Sequence, residues 1–293
     1  MVILSLFILG LIVGSFLNCL VYRLAPRQII GGGLGGRSFC PLCRHNLSWK
    51  DLIPVLSFIF LKGRCRYCQK RISIQYPLVE LATAIVFVLV FGFCLPAVAL
   101  AEAGHWDFLY LGYLLFISSC LIAIFVFDLK HYLIPDEIIY PAIAVAFLYR
   151  LFEIWKLGNW NLPALKGIYS PSGIGTWYLV LGNLAPLFKP LASAILAAAF
   201  FYAIYALSKG KAMGFGDVKL AFFMGLFLGF PKIAAALFFA FFAGALAGLG
   251  LMILKKKTLK SELPFAPFLV FGTFFALFFG QQVISYYLNF LLV

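Results

Sequence analysis

Charge is scarce in this chain. Only 11% of its 293 residues are charged, just ten of them acidic, while 64% are hydrophobic and the mean hydropathy is +1.05. Soluble domains carry about 25% charged and 45–50% apolar residues, so a soluble globular fold is excluded and a polytopic membrane protein is expected. Other absences narrow the reading further. No basic region precedes the apolar run at 1–22, and Arg23 and Arg27 follow it, so a cleaved signal peptide is a poor fit and the run reads as a first membrane span. The glycine run "GGGLGG" at 31–36 satisfies G-x-G-x-x-G literally, but it follows no strand and opens no apolar helix. It reads as a flexible linker rather than a nucleotide or methyl-donor loop.

Long apolar runs are abundant. They recur at about 1–22, 77–100, 107–127, 137–155, 190–207, 217–231, 233–254 and 265–291, against the ~20 residues a helix needs to cross a bilayer. The expected fold is all-α, with about eight transmembrane helices, the sixth the shortest.

The net charge of +13 does not indicate a nucleic-acid partner, because the cations follow the turns of the membrane path instead of clustering on a soluble face. Ten Lys or Arg lie between Arg23 and Arg71; Lys130, then Lys209, Lys211 and Lys219, then Lys255, Lys256, Lys257 and Lys260 follow on alternate loops, eighteen of the 23 in all. The positive-inside rule places these loops in the cytoplasm and both termini outside.

Residues 24–76 form the largest polar segment and are expected to be a cytoplasmic loop. "CPLC" and "CRYC" supply Cys40, Cys43, Cys65 and Cys68, two C-x-x-C pairs with 21 residues between them. This is zinc-ribbon-like spacing: four thiolates suit a tetrahedral Zn²⁺ that staples a loop too small to build its own core. A redox C-x-x-C, without a thioredoxin-like βαβ context, and disulfides, disfavoured in a reducing compartment, stand beside it as alternatives. Cys19, Cys94 and Cys120 lie in apolar spans and read as small core residues; His45 reads as solvated.

Most of the ten acids have simple readings. Asp136 and Glu137 complement the N-terminus of the fourth span, and Asp51 and Glu262 sit in basic loops. Glu80, inside the second span, is a functional candidate because an intramembrane carboxylate is costly, with a paired Arg as the purely structural alternative. Asp128 ends the third span, where helix polarity disfavours a carboxylate. Asp217 opens the sixth in "AMGFGDVKL" and would by default be a helix cap. The charge pattern puts Asp128 and Asp217 at the same membrane edge, and two carboxylates that approach share a proton and can work as acid and base on a peptide bond. Gly214 and Gly216 leave room for an extended substrate backbone or merely terminate or pack helices, Lys219 could bind a substrate acid, lower an aspartate pKa or simply snorkel, and His131 could join proton transfer or simply be solvated.

These residues and their order resemble the type IV prepilin leader peptidases, bacterial inner-membrane aspartic proteases of the G-x-G-D class. The resemblance rests on "GSFLNCLVYRL" at 14–24, the two C-x-x-C pairs, "SIQYPLVELATA" at 73–84, "FDLKHYLIPD" at 127–136, "GFGDVKL" at 214–220 and "PFAPFL" at 264–269. It implies cytoplasmic-side cleavage of the basic leader of type IV prepilins or type II secretion pseudopilins, with Asp128 and Asp217 as the catalytic pair. It also implies methylation of the new N-terminus from S-adenosylmethionine by the N-terminal portion, with Asn18, Arg23 and Glu80 as candidates, beside the alternatives of Asn18 as an interhelical hydrogen-bond donor and Arg23 as a topology anchor. The implied division is a methyltransferase-like portion at 1–100 and a peptidase core at 101–293. Two stretches depart from the family pattern: "IIGGGLGGRS" before Cys40, and a long outer segment at about 156–189 whose "GTWYLVLGNLAP" reads as an interfacial or re-entrant helix. An ion-coupled transporter with paired carboxylates is the rival class; the lack of an internal repeat and the placement of both aspartates at one face speak against it.

Overall fold

The computed structural model describes residues 1–24, 36–94, 105–160, 174–211, 213–254 and 264–291, the side chains of 105–107, 157–160, 174–186 and 291 excepted. The glycine run at 31–35, residues 161–173 of the outer segment and the lysines between 255 and 260 lie outside the described residues. Among the described residues the chain is helical, with isolated antiparallel bridges and no named strand. It divides into two compact units, Met1–Pro135 and Asp136–Val293.

In the first unit, α1 (Val2–Leu24) packs along α3 (Gln75–Cys94), and both touch α4 (His105–His131). Between α1 and α3 lie a 3₁₀ turn (Trp49–Leu52) and a one-turn helix α2 (Leu56–Phe60). The α1–α3 seam is set by small residues. A Cβ on Gly10 would stand 2.5 Å from the Ala84 Cα, and one on Gly14 would stand 2.6 Å from the Glu80 Cα. Such close approach replaces the hydrophobic driving force that lipid does not supply between helices.

The second unit contains α5 (Asp136–Trp160), α6 (Ile174–Leu207), α7 (Phe215–Leu228), α8 (Lys232–Ile253) and α9 (Ala266–Leu291). Small residues again zip the pairs: Gly225 of α7 lies against Ser193 and Ala194 of α6, and Gly272 of α9 against Ala236 of α8. Residues 174–186, including the expected interfacial stretch, are helical and continuous with α6.

Among the described residues, seven helices are long and apolar enough to cross a bilayer. The sixth apolar segment, expected at 217–231, folds as the 14-residue α7. At 1.5 Å per residue this is about 21 Å, short of the ~30 Å hydrocarbon core. Nine of its residues are buried, and it packs against α5, α6, α8 and α9, so protein rather than lipid surrounds it.

A helix that stops short leaves carbonyls unpaired inside an apolar environment. Arg150 of α5 supplies the donors: its guanidinium bonds to the carbonyls of Phe227 (2.6 Å) and Leu226 (3.3 Å) and is held by Glu153 at 2.7 Å. Arg150→Met removes these donors and is expected to cost about 2 kcal/mol, a drop of roughly 5 °C in the thermal midpoint in detergent. An unchanged midpoint would show that the α7 terminus is satisfied without Arg150.

Candidate functional site

The four cysteines come together on two copies of one knuckle. The Cys40 amide donates to the His45 carbonyl and the Arg44 amide to the Cys40 carbonyl; 25 residues on, the Cys65 amide donates to Lys70 and the Gln69 amide to Cys65. Arg44 and Gln69 both take φ near +58°, closing each turn, and the bridges Phe39–Asn46 and Arg64–Arg71 flank the two pairs. The Sγ atoms of Cys40, Cys43, Cys65 and Cys68 all lie within 4.8 Å of one another. A tetrahedral metal with ~2.3 Å bonds to sulfur needs them about 3.8 Å apart, so the set fits a metal ion after a small contraction.

The donor chemistry agrees. Burial of Cys40 opposes ionisation, but the amides of Cys43 and Leu42 and the adjoining thiols outweigh it and bring the thiol down to about 7. At Cys43 the amide of His45 favours the thiolate, but burial and the neighbouring sulfurs of Cys40 and Cys68 push it up to about 11. Four thiolates in one place require a cation. All seven cysteines are free thiols. His45, exposed as expected, packs against Tyr67 in a tilted ring contact with centroids 3.7 Å apart, tying one knuckle to the other.

Asp51, expected merely to sit in a basic loop, is a hub. Its side chain is only 3% exposed and accepts from the Ser48 amide and hydroxyl, from Arg66 Nε at 2.8 Å and from the Tyr67 hydroxyl at 3.1 Å. Arg66 and Tyr67 are the two residues between Cys65 and Cys68, so Asp51 anchors the second knuckle to the chain before α2. Burial alone would raise its pKa; the donors from Ser48, Arg66 and Tyr67 win and hold it below the usual carboxylate value. The stabilisation is therefore present above the ordinary carboxylate range and is lost as pH falls below about 4. At pH 7, Asp51→Asn is expected to cost about 1–3 kcal/mol, read as lost amide protection at 64–71, and the variant should lack the acid-dependent step that wild type shows.

A cavity of about 740 Å³ opens in the first unit between α1, α3 and the loop. Asn18, Arg23 and Glu80 all line it, together with Cys40, Cys65 and Asp51. Asn18 and Glu80 are buried, at 4% and 7% exposure. The Asn18 amide donates to the Tyr76 carbonyl at 3.0 Å, and Arg23 donates to the Gly36 carbonyl at 2.7 Å. Glu80 Oε2 accepts from the Val55 amide at 2.7 Å, and Ser15 also bonds to this carboxyl. The structural alternative of a paired Arg is not realised: among the described residues Glu80 makes no ion pair.

Asp128 belongs to the first unit. It lies near the C-terminus of α4, 5% exposed, and its carbonyl accepts from the Tyr132 amide at 2.9 Å. Tyr132 takes φ +56°, closing the helix with a left-handed turn. His131 packs on Phe127, with ring centroids 4.7 Å apart. Asp217 belongs to the second unit. It is the third residue of α7 after the Gly214 cap, 8% exposed, with its amide bonded to the Gly214 carbonyl at 3.2 Å. A Cβ at Gly214 would lie 3.9 Å from the Asp217 carboxylate, at ordinary van der Waals contact. Gly216 is half-buried in the first turn of the same helix. Lys219 is engaged elsewhere: its Nζ pairs with Asp136 Oδ1 at 2.6 Å and lies over the rings of Tyr140 and Phe215.

Membrane-length helices, buried aspartates at two helix ends and a loop whose four thiols are placed to hold a metal ion define a polytopic membrane protein. Comparison with known proteins makes this more specific. Residues 8–93 match the bacterial peptidase A24 N-terminal domain and residues 115–249 match the type IV leader peptidase family. A protein of Bacillus subtilis (strain 168) named prepilin leader peptidase/N-methyltransferase is 33% identical, with 97% of each chain covered. One of Aeromonas hydrophila with the same name is 31% identical over 97% of this chain and 93% of its own. One of Klebsiella pneumoniae is 33% identical over 80% and 89%. No solved structure matches the chain. The chain belongs to the type IV leader peptidase family; it is a multi-pass membrane peptidase.

Proposed function

We propose that this protein removes the basic leader of type IV prepilins or type II secretion pseudopilins and then methylates the new N-terminus. The observation that carries the reading is family membership over nearly the whole chain, with Asp128 and Asp217 each buried at a helix end. We assign the hydrolysis to these two carboxylates. Asp217 stands in the first turn of α7, where the helix dipole favours an anion, which suits the base that takes a proton from water. Asp128 is then the acid that protonates the scissile carbonyl as water adds. No acyl-enzyme forms. Gly214 admits the substrate backbone, and Lys219 holds α7 to the start of α5 through Asp136.

The cation-rich loops favour an orientation with the cysteine loop and both aspartates on the cytoplasmic side of the inner membrane and both termini outside. The tetra-cysteine cluster suits a structural Zn²⁺, which needs no open coordination position. The peptidase core is assigned to 101–293 and methyl transfer to 1–100. S-adenosylmethionine, when bound, supplies an electrophilic methyl on a sulfonium. The cavity lined by Asn18, Arg23 and Glu80 is its proposed place.

Inverted membrane vesicles, which expose the cytoplasmic face, test activity and orientation together. Added peptide with a basic leader and apolar stem should lose its leader without permeabilisation. Cleavage only after detergent would reverse the orientation. An intact peptide in both states, from correctly folded protein, would favour the transporter.

A further inference from the structure

The cavity of the first unit contains two buried acceptors whose bonding capacity is incompletely used. Among the described residues, Asn18 Oδ1 is buried and has no hydrogen-bond partner, although the amide nitrogen of the same side chain is satisfied by the Tyr76 carbonyl. Leaving such an oxygen unpaired costs about 1–3 kcal/mol, so the site suits a donor that arrives from outside. Glu80 has donors from Val55 and Ser15, two of roughly four lone-pair positions on a carboxylate, and no counter-ion among the described residues.

Helix register brings the two acceptors together. Gly10 meets Ala84, Gly14 meets Glu80 and Asn18 bonds to Tyr76, so α1 and α3 run antiparallel with facing positions one turn apart. Asn18 is therefore about 6 Å along the axis from the level of Glu80, and one group between the helices can meet both side chains. Glu80 is also fixed from the loop. Val55 holds φ +59° and ψ −49°, a conformation that costs a β-branched residue about 1–3 kcal/mol; in it, the Val55 amide bonds to Glu80.

We propose that Glu80 and Asn18 form a subsite for a primary ammonium group, an inference that rests on the methyl-transfer reading of this cavity. A cation with three donors supplies what both acceptors lack: charge compensation for Glu80 and a hydrogen bond for Asn18 Oδ1. Two ammonium groups belong to the reaction, that of the cleaved pilin and that of the methionine part of the donor. For the acceptor, Glu80 takes one N–H proton and becomes the carboxylic acid. The freed nitrogen lone pair then forms the N–C bond to the methyl, while the S–C bonding pair stays on sulfur as a thioether. For the donor, no proton moves, and the basic side chains along the cavity, Arg37 and Arg71 among them, suit its carboxylate.

The test uses full-length protein in detergent and equilibrium binding of two probes. These are radiolabelled S-adenosylmethionine and a peptide of the cleaved stem with a free N-terminus, each beside its counterpart with the amine acetylated. Glu80→Gln keeps an oxygen for the Val55 amide, and leader cleavage reports that the variant is folded; Asn18→Leu is the second variant. Loss of one charge-assisted bond should weaken the bound ammonium probe about tenfold or more, with its acetylated form unaffected. Weakening of the peptide alone assigns the acceptor amine, and weakening of S-adenosylmethionine alone assigns the donor. Affinities for both probes within about twofold of wild type in both variants would overturn the subsite, since that is under 0.5 kcal/mol. Wild-type protein that cleaves leader but transfers no methyl would instead refute the methyl-transfer reading, and the free-amine peptide would still decide the subsite.

Discussion

Asp217→Asn and Asp128→Asn are each expected to reduce leader cleavage about 10³-fold, with the double variant no slower than the worse single one. Asparagine keeps the size of the side chain and the burial seen at both positions, so the fold of α7 and the left-handed close of α4 should persist. What it loses is the ability to take a proton from water or to give one to the carbonyl. The near-equality of single and double variants follows if, as proposed, acid and base act in one step, because either loss then removes the same transition-state stabilisation. Methyl transfer to a peptide that already lacks its leader should continue in both single variants, which separates loss of chemistry from loss of fold. Single variants that cleave at more than about a tenth of the wild-type rate would remove these residues from the general acid–base role.

The second large effect is expected at the knuckles. Wild-type protein should contain one zinc per chain, and Cys65→Ser should contain almost none. The loop from 36 to 74 has only a 3₁₀ turn and a one-turn helix of its own beside its hydrogen-bond ties, so a bound ion would add much of its order, since structural zinc supplies about 10–16 kcal/mol in small domains. Cys40 and Cys65 also line the cavity with Asn18 and Glu80, so loss of such an ion would take down one cavity wall. Chelation or Cys65→Ser should open residues 36–74 to limited proteolysis, while α1 and α3, held by the Gly10 and Gly14 seam, remain protected. An intact, protease-resistant loop with four free thiols and no metal would refute a structural ion.

Patterns that repeat along the chain are legible in the sequence. Apolar runs announce the helices, and the C-x-x-C spacing announces a four-thiol cluster that the fold does assemble. The two carboxylates at helix ends stand out because so few acids are present at all. What stays hidden depends on partners distant in sequence. Arg150 serves carbonyls 76 and 77 positions away, and main-chain acceptors leave no compositional trace. Lys219 meets Asp136 83 positions earlier, although each has an adequate local reading as a snorkelling cation and a helix-start acid. Asp51 is similar: an acid among loop cations reads as solvated, and only the second knuckle folding back shows that it is buried. The length of α7 is obscured because apolarity continues through Leu228, Gly229, Phe230 and Pro231, whereas the helix itself ends at Leu228 with Gly229 at φ +67°.

That one membrane protein performs hydrolysis and methyl transfer in sequence is tested most directly by intact-mass spectrometry. A prepilin-like peptide is incubated with purified protein, with and without S-adenosylmethionine. Loss of the leader is expected in both samples, with one added methyl on the new N-terminus only when the donor is present. An uncleaved peptide in both, from protein of verified fold, would contradict the assignment.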